Sequence, residues 1–150
     1  MKNKKVYFAQ IGFVLAALAL AGCGMVKKDE DPSVIKEKAV QRWDLLIAHQ
    51  AQKAWDFLSP GYRQTKSRDA YAQEMNARGV RWSKVSYGSQ ECEADLCKVH
   101  LLVDYSLTLG GPAGTVKSMA PLAETWVRIN GKWYFLPDPM YVKPGQNKES

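Results

Sequence analysis

At Gly79 the apolar period of the chain changes from that of a helix to that of a strand, and this switch restricts the fold more than any other feature. Upstream, Ile35, Ala39, Trp43, Leu46 and Ile47 recur on one helical face after Asp31-Pro32, a capping residue followed by a first-turn proline. A second helical stretch, 51–58, carries Ala54, Trp55 and Leu58 and stops at Ser59-Pro60-Gly61. Ser67 caps a third, in which Tyr71, Met75 and Arg78 share a face until Gly79.

Downstream the period is two. Val80 and Trp82 lie in one phase and Val85 and Tyr87 in the other, which predicts a bulge near Ser83 and Lys84. Val99, Leu101, Val103, Tyr105 and Leu107 then face one way, and Lys98, His100, Asp104, Ser106 and Thr108 mostly the other. The Gly110 to Gly114 segment breaks this strand into a loop; it precedes no Lys-Ser/Thr pair and opens no helix, so it is not a phosphate cradle. Residues 123–129 and 132–136 are strands joined by Asn130-Gly131, a strong hairpin signal that sets Arg128 opposite Trp133, Val127 opposite Tyr134 and Trp126 opposite Phe135. Pro137 and Pro139 end the sheet, and 139–150 reads as a flexible tail. The expected class is α+β: three N-terminal helices packed on a curved antiparallel sheet of about four strands.

The N-terminus has its own logic. Met1 to Lys5 carries three lysines and no acid, and an apolar run broken mainly by Gln10 extends to Ala21. This run is shorter than the roughly 20 apolar residues of a spanning helix, and it reads as a secretory signal peptide over 1–22. Leu20-Ala21-Gly22-Cys23 resembles the lipobox of bacterial lipoproteins. That resemblance implies cleavage before Cys23, acylation of its sulfur and retention on a membrane. Gly24 in place of Asp implies the outer membrane of the bacterial cell envelope, facing the periplasm. Residues 23–31 are then an acylated tether and 32–138 a single domain.

Cleavage removes three of the 21 basic residues and none of the 15 acidic ones, so the net charge falls from +6 to +3. Such a balance is a solvated surface, and a nucleic-acid partner is not expected outside the cytoplasm. Lys27 and Lys28 offer at most a weak attraction to anionic headgroups. With Cys23 acylated, Cys92 and Cys97 remain, separated by Glu93-Ala94-Asp95-Leu96. A four-residue loop sets them opposite each other at a hairpin neck, at the Cα spacing of about 4.5–5.5 Å that suits a disulfide. A bridge closing so small a loop contributes about 2 kcal/mol. There is no Cys-x-x-Cys, and the histidines are His49 and His100 alone, so neither a metal nor a cofactor is expected.

The element order, Arg42-Trp43 in the first helix, the segment Phe57 to Arg63 and the hairpin Trp126 to Phe135 together resemble the nuclear transport factor 2-like superfamily, over roughly 32–138. The superfamily includes ketosteroid isomerase and polyketide cyclases. The resemblance implies a cone-shaped fold that serves enzymes, ligand carriers and scaffolds, often as homodimers through the open sheet face. Its enzymes keep a carboxylate or histidine base inside the cone with tyrosine donors.

Glu124 is the candidate here, with Tyr62 and Tyr71 as donors: it shares a face with Trp126 and Arg128, and in an apolar pocket its pKa would rise. The plainer alternative is a rim carboxylate, screened by water or paired with Arg128. His100 and Asp104 lie on one strand face about 13 Å apart, too far for a base and its orienting acid. The set Trp43, Trp55, Trp82, Trp126, Trp133 and Phe135 is either a core or a ligand box, with Arg128 over Trp133 as a cation–π pair. Trp43, Tyr71, Glu124 and Trp126 are the candidate binding residues. The expected function is a membrane-anchored, non-catalytic domain that binds an envelope protein or a small apolar ligand. An isomerase, dehydratase or cyclase, or a dimerising structural unit, are the alternatives.

Overall fold

The computed structural model describes residues 28–111 and 114–138. The signal segment, Cys23, Lys27 and the tail 139–150 lie outside the described residues. The first helix, α1, spans Val34–Ile47 and buries Ile35, Ala39, Trp43 and Leu46 on the expected face. Its regular turns begin at Val34, but Asp31 caps it as expected: the carboxylate accepts from the Ser33 N–H at 2.8 Å, and a tighter first turn joins the Val34 N–H to the Asp31 carbonyl and the Ile35 N–H to that of Pro32.

The second helical stretch is shorter than expected: α2 is Ala51–Ala54, followed by a 3-10 turn at Trp55–Phe57. The Ser59-Pro60-Gly61 stop is also a start. Ser59 accepts from the Tyr62 N–H and Pro60 occupies the first turn of a helix not anticipated from the sequence, α3 at Pro60–Thr65. α4, Arg68–Asn76, is capped by Ser67 as expected and buries Tyr71 and Ala72.

Four antiparallel strands follow in the order β1-β2-β3-β4: Val80–Glu93, Leu96–Thr108, Thr115–Ile129 and Lys132–Leu136. The α+β class is therefore the one read from the sequence, with four helices rather than three. The predicted bulge lies between Trp82 and Lys84, and a second register shift, between Tyr87 and Ser89, coincides with Gly88. A Cβ there would stand 3.1 Å from the His100 carbonyl oxygen. The Cys92–Cys97 disulfide is present across directly opposed strand positions, but the loop is tighter than four residues: Glu93 pairs with Leu96, and Ala94 takes a left-handed φ of 45°.

β3 begins at Thr115, well before the expected 123, because pairing with β2 from Thr108↔Thr115 onward organises a segment with no clear alternation of its own. Along this early half β3 has no β4 partner, and Pro121, which lacks an N–H, fits such an edge. The hairpin at Asn130-Gly131 has the predicted register, Arg128↔Trp133, Val127↔Tyr134 and Trp126↔Phe135.

The core lies where α1 crosses the inner face of the sheet, with Trp126, Trp133, Val99, Ile35 and Leu58 fully buried. Trp43 meets Trp82 edge to face at 5.2 Å between ring centres.

Candidate functional site

Four side chains from two elements, α1 and β3, converge inside the cone. On α1 the buried face runs Ile35, Ala39, Arg42 and Leu46, so Arg42 holds a stripe position that an apolar residue would ordinarily fill. On β3, Glu124 lies on the inner face opposite Val99, two residues before Trp126. Arg42 and Glu124 form an ion pair through Nη2 and Oε1, and both are almost wholly withdrawn from water, at 3% and 2% exposure. The Trp43 indole N–H donates to the same Oε1 at 2.7 Å, and the Trp126 indole N–H donates to Oε2 at 3.0 Å. The carboxylate therefore accepts three hydrogen bonds, close to the roughly four its lone pairs allow.

Above the pair, the Arg42 guanidinium lies 4.0 Å from the centre of the Phe135 ring and 5.2 Å from that of Trp43. One atom is left over: the buried Arg42 Nε has no hydrogen-bond partner. Tyr71 is buried beside the guanidinium. Burial pushes its hydroxyl above the ordinary tyrosine value, against the opposing pull of Arg42.

Trp43, Tyr71, Glu124 and Trp126 are thus brought together in one buried group. The partner of Glu124, however, is Arg42 rather than Arg128, and the carboxylate is neither on the rim nor screened by water. Arg128 is engaged elsewhere: its Nε donates to Asp95 at 2.7 Å and its guanidinium lies 5.3 Å over Trp133, the predicted cation–π pair. Tyr62 is half-buried against the same core, near Tyr71 and under the Lys66 ammonium at 5.7 Å. His100 and Asp104 lie on the outer sheet face, opposite Ala123 and Met119. His49 sits just beyond the end of α1, exposed, with a left-handed φ of 58°. Of the aromatic set, Trp43, Trp126 and Trp133 are core, and Trp55, Trp82 and Phe135 pack against it half-buried. Neither of two surface hollows, one beside Asp69 and Asn76 and the other beside Met75 and Trp82, reaches Glu124.

A second constellation escaped sequence reasoning. Glu30, read there as tether, is sewn to the β3–β4 hairpin. Its N–H donates to the Gly131 carbonyl at 2.8 Å, its carboxylate accepts from the Trp133 N–H at 2.9 Å and from Lys38 at 2.5 Å, and its carbonyl accepts the Trp133 indole N–H at 3.0 Å. Burial pushes the Glu30 carboxyl up, but Lys38 and the Trp133 N–H outweigh it and hold the group below its ordinary range. An acid in a polar linker gives no periodic signal, so only the fold reveals this clamp.

No family model matches the chain, and no curated protein does. Solved structures do. A SEC-C motif containing protein from Psychrobacter arcticus superposes with a TM-score of 0.54 at 14% identity, over 77% of this chain and 65% of that one. A SEC-C motif containing protein from Rhodopseudomonas palustris gives 0.52 at 12% identity, over 67% and 73%. These two likenesses are of fold alone. A Campylobacter jejuni protein assigned as an NTF2-like transpeptidase gives 0.48 at 12% identity, over 73% of this chain and 100% of that one.

Proposed function

We propose that this protein is a non-catalytic binding module of the bacterial envelope, held at a membrane by acyl chains on Cys23 and presenting its domain to an envelope protein or a small apolar ligand. The observation that carries the non-catalytic half is the saturation of Glu124. A general base needs a lone pair within hydrogen-bond reach of the proton it removes, and this carboxylate is buried under Arg42 with three donors already on it. The cone is filled by its own tryptophans, so binding falls to the outer surface.

The anchored half rests on the resemblance of Leu20-Ala21-Gly22-Cys23 to a lipobox, and the Glu30 clamp bears only on how an anchored domain would be oriented. Glu30 is only seven positions after Cys23, and at about 3.3–3.6 Å per residue that stretch spans at most about 25 Å. An acylated Cys23 would keep the β3–β4 hairpin end of the domain near the bilayer and point the β2–β3 loop away from it. Two or more acyl chains hold a protein far more firmly than one.

Intact-mass analysis of the full chain extracted from membranes tests the anchor. The expected product begins at an acylated Cys23, and a freely soluble chain beginning at Met1 would contradict it. In-membrane crosslinking and ligand-induced shifts in melting temperature test the binding role. A specific captured protein or a raised Tm is expected, and the failure of both would overturn it.

A further inference from the structure

A bridge between Leu58 and Phe135, with the Ser59 N–H donating to the Phe135 carbonyl at 2.8 Å, fixes the start of α3 beside β4. One turn later Arg63 is half-buried, its guanidinium 5.1 Å from the centre of the Trp55 ring and 5.7 Å from that of Tyr134. Trp55 is itself held, because its indole N–H donates to the Lys66 carbonyl at 3.0 Å. Tyr134 alternates with the inward-facing Trp133 and Phe135 and so lies on the outer side of the sheet, as does Leu136, which is 36% exposed.

Arg63 differs from the arginines around it in having no acid. Arg42, Arg68, Arg78 and Arg128 pair with Glu124, Asp56, Glu74 and Asp95 in turn. Among the described residues the Arg63 guanidinium makes neither an ion pair nor a hydrogen bond, and none of its nitrogens is sealed off, so its N–H groups face water. A guanidinium stacked on two rings has already lost part of its rotamer freedom, so its fork can take a carboxylate in two parallel bonds at little further entropic cost. The neighbouring cations are already matched, Lys66 by Glu74 and Arg68 by Asp56. Recognition of an anionic lipid surface takes clusters of about four to eight basic residues, whereas this patch leaves one charge unmatched and suits a single carboxylate. Arg, Trp and Tyr are also the side chains that carry most of the energy of protein interfaces.

We propose that Trp55, Arg63 and Tyr134 form the docking patch for a protein partner, which sets an Asp or Glu carboxylate on the Arg63 fork and apolar side chains against the two rings and Leu136. The proposal rests on the reading of this chain as a module that binds an envelope protein.

The test places a photo-crosslinking amino acid in the full chain at the exposed Gln64, next to Arg63, or at the exposed Met119 of the outer sheet face as a control, and identifies the peptides captured in intact cells by mass spectrometry. Gln64 is expected to capture one protein segment with an Asp or Glu beside the crosslinked position. Arg63→Glu should lower that capture about tenfold or more, with Arg63→Gln intermediate. Exchanging the captured acid for lysine should then restore capture by Arg63→Glu, a result that only a folded variant can give. No capture at Gln64, capture of a lipid or of a segment without an acid, indifference to Arg63→Glu, or no restoration by the lysine exchange would each overturn the proposal. Capture from Met119 alone would remove this patch and leave the binding module standing, whereas capture from neither position would count against both.

Discussion

Exchanging Glu124 for glutamine keeps the shape of the side chain and removes its charge, which leaves the Arg42 guanidinium buried without its counter-ion. Breaking a buried pair in this way costs about 3–5 kcal/mol, and whichever way the new amide lies, its NH2 group meets an Arg or Trp N–H. Chemical denaturation of Glu124→Gln should show a loss of that size, and parental stability would refute a structural role. Replacing both partners, Arg42→Met with Glu124→Leu, removes the stranded charge and should cost less than the two single changes added together. It does not restore full stability, because the indole N–H groups of Trp43 and Trp126 then lack an acceptor, at about 1–3 kcal/mol each. Tyr71 makes a separate prediction. Its native pKa lies above the ordinary 10.0, so the unfolded chain ionises first and stability falls as pH rises past that value. Tyr71→Phe should flatten this alkaline slope in denaturation measured against pH.

The β3–β4 hairpin is both a sheet element and the dock for the N-terminal segment, so its turn is constrained twice. Gly131 has a φ of +77°, and a Cβ there would stand 2.7 Å from the Asp29 carboxylate oxygen. Because the exposed Asp29 side chain can move aside, Gly131→Ala should destabilise by roughly the 1 kcal/mol of a strained left-handed turn, read by chemical denaturation. The Glu30 carboxyl lies below its ordinary 4.5 in the folded chain. Its stabilisation is present above that pH and is lost as pH falls through the lower native value. Glu30→Gln should remove this part of the acid sensitivity, and an unchanged acid limb would contradict the clamp. Reduction of Cys92–Cys97 releases a short loop, and the expected loss is about 2 kcal/mol.

These elements also mark how far the sequence could be read. The hairpin register was legible because Asn130-Gly131 fixes the turn, and the core strand β2 because Val99, Leu101 and Val103 alternate cleanly. α3 was hidden because Ser59-Pro60-Gly61 stops one helix and starts another with the same residues. The first half of β3 was hidden because tertiary pairing, not alternation, organises it. Glu124 and its tryptophan neighbours could be placed on one face, but the partner could not. The available signal was Arg42 itself, a charge in the apolar stripe of α1 that must find an opposite charge once buried.

At the scale of the whole molecule the interior is closed: Arg42, Glu124 and the tryptophans around them are buried together. The clamp at Glu30 fixes how the chain enters this body, so acylation at Cys23 would set its orientation as well as its location. The central claim is that water does not reach the Arg42–Glu124 pair. Hydrogen exchange of the Trp43 and Trp126 indole N–H groups, followed by 15N NMR, measures this directly. A sealed cone predicts protection approaching that set by global unfolding, comparable with the Val99 amide in the core strand. Exchange at the rate of a solvent-exposed indole would mean an open pocket around Glu124, and would contradict the account.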